Sequence, residues 1–258
     1  MTLSARALAL FLILVATVFN VNATVLYVRV TPQEIVIGTD SKRTATTGAT
    51  VCVCKITKVG DTFVASAGLA EFGTFDPREI AADAIKESQN LVDARARFEE
   101  RIEQPLIDVL QKLKTRNPDR YEAFKKGAAV DMIFARFIDE PELVGSALTP
   151  KDSPDGSVSL VKTQITLLDP AKSKRIFVGV SKRVEMMLDR SGLWSKGTVA
   201  GVQRILEMSI EDNKEAGGPI DIVQITKGNV HWFPKEPECD SKSHRINEQP
   251  STCNSSSR

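Results

Sequence analysis

Thr24 follows Val21-Asn22-Ala23. Small or β-branched side chains at Val21 and Ala23 satisfy the signal-peptidase rule for the positions three and one before a cut. A cut after Ala23 makes Thr24 the first residue of the mature chain. A hydroxyl on an N-terminal residue carries its own base, because an α-amine titrates near ~8 and can take the hydroxyl proton directly or through a water. Such a residue can attack a carbonyl carbon without a histidine. That suits a chain with only two histidines. His231 falls in an expected strand and His244 in a polar tail, so each reads as structural or solvated.

Other chemistries lack their residues. There is no G-x-x-x-x-G-K-[ST], no G-x-G-x-x-G, no H-E-x-x-H and no G-x-S-x-G in the chain. Lys plus Arg number 34 and Asp plus Glu 33, for a net charge of +1. This balance argues against nucleic acid or an anionic membrane as the main partner. Hydrophobic residues make up 42% of 258, which excludes global disorder and fits one large α/β domain or two smaller ones.

The segment that would expose Thr24 reads as a signal peptide spanning 1–23. Arg6 is the only charge before an apolar run of 13 residues, 7–19. A spanning helix needs about 20 residues, whereas a signal-peptide core needs roughly 7–15. Polar Asn20 and Asn22 close the run. The expected product is exported, periplasmic or extracellular, with no membrane attachment after cleavage. No later stretch is long and apolar enough to span a bilayer as a helix. The expected domain covers 24–234, and 235–258 reads as a polar, disordered tail. Cys239 and Cys253 flank that tail and could pair. Cys52 and Cys54 lie two apart on a strand-like run without the spacing of a zinc knuckle, and read as two small half-buried hydrophobes.

The elements that must position Thr24 alternate in groups. Strands are expected at 25–30 and 35–39, forming a hairpin, then at 50–56 and 62–67. Asp76-Pro77 starts a helical stretch, Asp as N-cap and Pro at the first position. Its apolar face runs through Ile80, Ala84, Leu91, Phe98, Ile102, Leu106, Val109 and Leu113. Asn117-Pro118 breaks it, and a short helix is expected at 121–126. Strands follow at 130–138, 157–168 and 175–180, helices at 184–188 and 198–210, and a last hairpin at 220–226 and 230–233. Strands that come in hairpin groups disfavour a doubly wound parallel sheet and favour antiparallel sheets layered with helices.

Several segments together resemble the proteasome β-subunit branch of the N-terminal nucleophile hydrolases. They are Thr24 opening a strand, Gly38-Thr39-Asp40-Ser41-Lys42-Arg43, Cys54-Lys55-Ile56, Ser66-Ala67-Gly68, and Gly217-Gly218-Pro219-Ile220-Asp221 after the last long helix. The likeness covers most of 24–232 and is strongest over 24–68. The family has a buried Asp sixteen residues after the nucleophile, which here is Asp40. Its lysine at the end of the third strand matches Lys55 with a loop one residue shorter. Its glycine after the fourth strand matches Gly68.

The resemblance implies an α+β fold, a four-layer αββα sandwich of two antiparallel sheets flanked by helices. It implies a threonine-type peptidase or amidase that needs no cofactor or metal. Thr24 would form an acyl-enzyme ester, Lys55 would favour the alkoxide, Asp40 would hold Lys55, and the Gly68 N–H would donate to the oxyanion. Arg43, Val53, Ser66 and Ala70 would line the substrate pocket. Ring-forming relatives point to a homo-oligomer. The family's Asp and Ser, three apart before the paired glycines, are replaced by Asn213 and Ala216. Asp212 is a carboxylate one residue out of register, and Ser181 in Gly179-Val180-Ser181 is a loose counterpart of the family's Gly-Ser segment. These departures leave a second reading open, a catalytically inactive scaffold used for binding or assembly. A small-molecule amidase is a third.

Overall fold

The computed structural model describes residues 24–44, 50–69, 72–166, 173–180, 182–213 and 216–233. Residues 1–23 and the tail 235–258, with Cys239 and Cys253, lie outside the described residues.

Two five-stranded antiparallel sheets form the centre. The first is built from β1 (Leu26–Val30), β2 (Ile35–Asp40), β10 (Lys174–Val178), β11 (Ile220–Thr226) and β12 (Asn229–Phe233), in the order β10-β1-β2-β11-β12. The second is built from β5 (Ile56–Val59), β6 (Thr62–Gly68), β7 (Val130–Phe137), β8 (Pro141–Asp152) and β9 (Val158–Thr166), in sequential order. Strand alternation assigns the layers. Leu26, Val28, Val30, Ile35 and Ile37 face Ile56, Phe63, Ala65, Ile133 and Ala135 across the inter-sheet core. The opposite residues of β1 and β2, Tyr27 and Val36, pack under Val202, Ile205 and Leu206. These belong to the helix Thr198–Asp212, called α5 below. The outer face of the second sheet, with Val64, Met132 and Phe134, is covered by α1 (Pro77–Lys86), α2 (Leu91–Arg116) and α3 (Pro118–Lys125). The short α4 (Lys182–Glu185) joins α5 through Val184. The result is helix, sheet, sheet, helix, the expected four-layer αββα sandwich.

Three local expectations need correction. The apolar face 80–113 is two helices, because Asn90 leaves the helical conformation and its side chain accepts the Asp93 N–H, starting α2 anew. The strand 50–56 is also divided. Residues Thr50–Cys52 form β4, which pairs with an unanticipated β3 (Lys42–Thr44), while β5 begins only at Ile56. Cys54 therefore sits outside the strand that holds Cys52. It is disulfide-bonded, so it is not the simple half-buried hydrophobe expected. The longest strand of the second sheet, β8, has no counterpart among the strands expected from the sequence pattern.

Candidate active site

The end of β2 is where the chemistry-bearing residues meet. Asp40 is the last residue of that strand and is fully buried. Its backbone N–H donates to the Val25 carbonyl at 3.2 Å. Its Oδ1 accepts the Val25 N–H at 2.8 Å. The Thr39 hydroxyl donates to the same Val25 carbonyl at 3.0 Å. Both backbone groups of the residue after Thr24 are thus held by the end of β2, which fixes where the chain leaves Thr24. Thr24 itself is buried. It has the strand parity of Leu26 and Val28, so the alternation carries its side chain towards the inter-sheet layer.

Lys55 reaches the same carboxylate. Its Nζ donates to Asp40 Oδ1 at 2.8 Å, and it is only 4% exposed. Three hydrogen bonds hold the backbone that carries it. The Val53 N–H donates to the Ser41 carbonyl at 2.9 Å, and the Ser66 N–H to the Lys55 carbonyl at 3.0 Å. The third comes from Arg78 Nη1, which donates to the Cys54 carbonyl at 3.0 Å. Arg78 is itself paired with Asp76, the N-cap of α1, through Nη2–Oδ2 at 2.6 Å. Asp40 Oδ2 completes the set by accepting the Gly217 N–H at 3.0 Å. The carboxylate therefore accepts hydrogen bonds from one ammonium and two backbone amides.

Ser41 and Asp221, named above only within longer segments, form a pair that the sequence does not assign. The Ser41 hydroxyl donates to Asp221 Oδ2 at 2.5 Å, and both residues are buried. Asp221 lies opposite Thr39 in the β2–β11 register. Burial pushes its carboxyl up, and the Ser41 hydrogen bond opposes that. Burial likewise pushes the Lys55 ammonium down, against the attraction of Asp40 and, more weakly, of Asp221. The sequence holds one signal for Asp221. It shares the inward parity of Val223 and Ile225, so it is an acid at a core-facing position of an otherwise apolar strand.

Gly68 closes β6 with φ +90°. A Cβ there would meet the Ala129 carbonyl oxygen at 2.4 Å, so both the backbone angle and the close approach of β7 require glycine. Of the expected pocket residues, Val53 and Ser66 are buried beside Ser41 and Lys55. Arg43 lies on β3, paired with Val51. Ala70 and the supporting Ser181 lie outside the described residues. Asp212 stands at the end of α5 and is paired with Arg183, Nη2 to Oδ1 at 2.9 Å. Asn213 caps the end of α5, and its carbonyl accepts the Ala216 N–H at 3.0 Å.

The arrangement can hold a positive charge, through Asp40, beside the backbone of Val25 in a water-poor layer. A cation so placed can stabilise an alkoxide or a tetrahedral oxyanion far better than in water. No grouping of three or more His, Cys, Asp or Glu suited to a metal ion occurs among the described residues.

No protein-family model matches the chain, and no curated protein matches it. A similar solved structure is that of the Anbu (Gly-1) mutant from Hyphomicrobium sp. strain MC1, at 16% identity. It covers 81% of this chain and 86% of that one, with a TM-score of 0.46. The four-layer fold rests on this chain's own strand order and packing.

Proposed function

We propose that this chain is an exported N-terminal threonine hydrolase, a peptidase or amidase that attacks an amide carbonyl through Thr24. The observation that carries the reading is the single oxygen of Asp40 that holds both Lys55 Nζ and the Val25 N–H. It ties a buried cation to the residue next to the nucleophile.

Cleavage after Ala23 would supply the free α-amine. The amine takes the Thr24 hydroxyl proton as Oγ bonds to the carbonyl carbon. Lys55 lowers the energy of the developing negative charge, and the Gly68 N–H donates to the oxyanion, a contact worth about 3 kcal/mol elsewhere. The C–N bond breaks, the α-ammonium returns its proton to the leaving amine, and an ester remains on Thr24. Water, deprotonated by the same amine, then hydrolyses the ester and restores the hydroxyl. In this scheme the protein is inert until the leader is removed, and the active form is a homo-oligomer that works without an ATP-driven partner outside the cytoplasm.

The second reading, an inactive scaffold, is favoured by one observation. The positions that would support the amine hold Asn213 and Ala216, and Asp212 is engaged with Arg183. N-terminal sequencing of the exported protein separates the two readings, together with labelling by a peptide epoxyketone. Thr24 as first residue, and an adduct lost in Thr24→Ala, support the hydrolase. A different first residue, or an adduct that persists in that variant, removes it.

A further inference from the structure

One buried carboxylate takes no part in the cluster around Asp40. Asp131 is the second residue of β7 and is 7% exposed. It has no hydrogen-bond or ion-pair partner among the described residues. It shares the parity of Ile133 and Ala135, which face the inter-sheet layer, so it stands at the end of that layer. Its strand neighbour is Ala67, next to Gly68. It lines a cavity of about 520 Å3 together with Val178, Gly179, Val180, Asp212 and Asn213.

Two strand pairings bring the cavity to the end of the sheets that carries Thr24 and Gly68. β1 and β10 pair antiparallel with Leu26 opposite Val178. Val178 lines the cavity, so its wall stands opposite Leu26, two residues along the chain from Thr24. The cavity thus lies between the end of β10, which pairs with β1, and the start of β7, which pairs with Gly68.

Its lining has the character of a cation site. The ionisable lining groups are Asp131, Glu185 and Asp212 against one lysine, Lys182. Glu185 and Lys182 stand on α4 at the exposed rim. Asp212 is already paired with Arg183, which also reaches Glu211. β10 and the residues after it contribute the apolar Phe177, Val178 and Val180. This leaves Asp131 as the deep, unmatched acid, with apolar walls on the way to it. A flexible alkyl chain with a charged head fits such a surface. Burial alone pushes the Asp131 carboxyl up to about 7, and an arriving cation would restore its charge.

We propose that this cavity is a substrate subsite for an ammonium or guanidinium group on an alkyl stem, as on a lysine or arginine side chain, with Asp131 as its carboxylate partner. The subsite role rests on Thr24 being the nucleophile, whereas cation binding by Asp131 does not.

The test uses n-butylguanidinium, whose charge is constant between pH 6 and 8, titrated calorimetrically into the purified protein. A carboxyl titrating near 7 passes from about one-tenth to about nine-tenths ionised over that range, so binding should tighten about tenfold. Asp131→Asn should weaken binding at pH 8 about tenfold or more and abolish the pH dependence, while near-ultraviolet circular dichroism verifies an unchanged fold. Neutral n-butylurea should not compete. Equal binding by the variant, or no binding by the parent protein, overturns the site. A second arm measures epoxyketone labelling of Thr24 with and without n-butylguanidinium. Slowed labelling supports the subsite, and binding through Asp131 that leaves labelling untouched overturns that role. Labelling absent in both conditions removes the nucleophile reading and the subsite role together, with cation binding by Asp131 measured separately.

Discussion

Asp40 Oδ1 lies 2.8 Å from Lys55 Nζ, and neither residue is more than 4% exposed. The two arrive from different sheets. Asp40 closes β2 of the first, and Lys55 precedes β5 of the second, so their contact also joins the sheets at the Thr24 end. Breaking a buried pair leaves one charge without compensation, at about 3–5 kcal/mol. Asp40→Asn and Lys55→Met should each lower the unfolding free energy from urea titration by that order. Asp40→Asn also turns an NH2 group towards a backbone donor. The double variant should lose much less than the two single losses combined. Strict additivity would mean that the pair is not coupled.

Gly68 and Gly60 separate a required close approach from simple backbone freedom. Both have positive φ, +90° and +63°. A Cβ at Gly60 meets nothing within 4 Å, whereas one at Gly68 strikes the Ala129 carbonyl. Gly60→Ala should cost about 1 kcal/mol, the backbone cost alone. Gly68→Ala should cost several kcal/mol more by thermal denaturation, because β6 and β7 must part at the site. Equal losses would show that the β6–β7 end relaxes freely.

How legible each feature is in the amino-acid sequence depends on distance along the chain. Thr24, Asp40 and Lys55 can be related because they lie on neighbouring elements at fixed spacings, and the Asp76-Pro77 helix start can be read because capping is local. The Ser41–Asp221 bond joins positions 180 apart, and only strand register brings them together. The break at Asn90 is hidden because the apolar repeat continues with a seven-residue step from Ala84 to Leu91. β8 is disguised because it opens at Pro141 and carries Pro150 and Gly145, residues that signal turns when read alone. That Asn213 and Ala216 stand where the family it resembles has Asp and Ser is visible in the sequence. The engagement of Asp212 by Arg183 is not, because Arg183 sits 29 residues away on α4.

Asp76 should matter more than an ordinary helix cap. Its side chain accepts the Arg78 N–H at 2.8 Å, and it also pairs with the Arg78 guanidinium that holds the Cys54 carbonyl beside Lys55. Asn90 provides the control, since its side chain caps α2 through Asp93 and is exposed. Asn90→Ala should cost about 1 kcal/mol. Asp76→Ala should cost that plus about 1–3 kcal/mol for a buried guanidinium without its partner. It should also speed amide hydrogen exchange at Ser66, whose N–H bonds to the Lys55 carbonyl. Matching losses for the two variants would reduce Asp76 to a cap.

The unmatched carboxyl of Asp131 makes stability depend on pH in a definite direction. Its folded value, pushed up to about 7 by burial, exceeds the ordinary aspartate value of 3.8. The folded chain therefore holds this proton more tightly than the unfolded chain. Stability from this group is greatest below about pH 4 and is lost as pH rises through about 7, with slope set by the extra proton bound in the folded state. A shift of that size corresponds to at most about 4 kcal/mol, at 1.36 kcal/mol per unit. Asp221 is shifted in the same direction, and surface carboxylates paired with lysine or arginine act oppositely, so the total curve is mixed. The difference between the parent protein and Asp131→Asn isolates this one group. Urea titrations from pH 4 to 8 should show the variant gaining relative stability steadily up to about pH 7 and levelling beyond it. A difference that stays flat across that range would show Asp131 ionising as readily in the folded chain as in the unfolded one. The carboxyl would then be too well solvated to hold a cation in the way proposed.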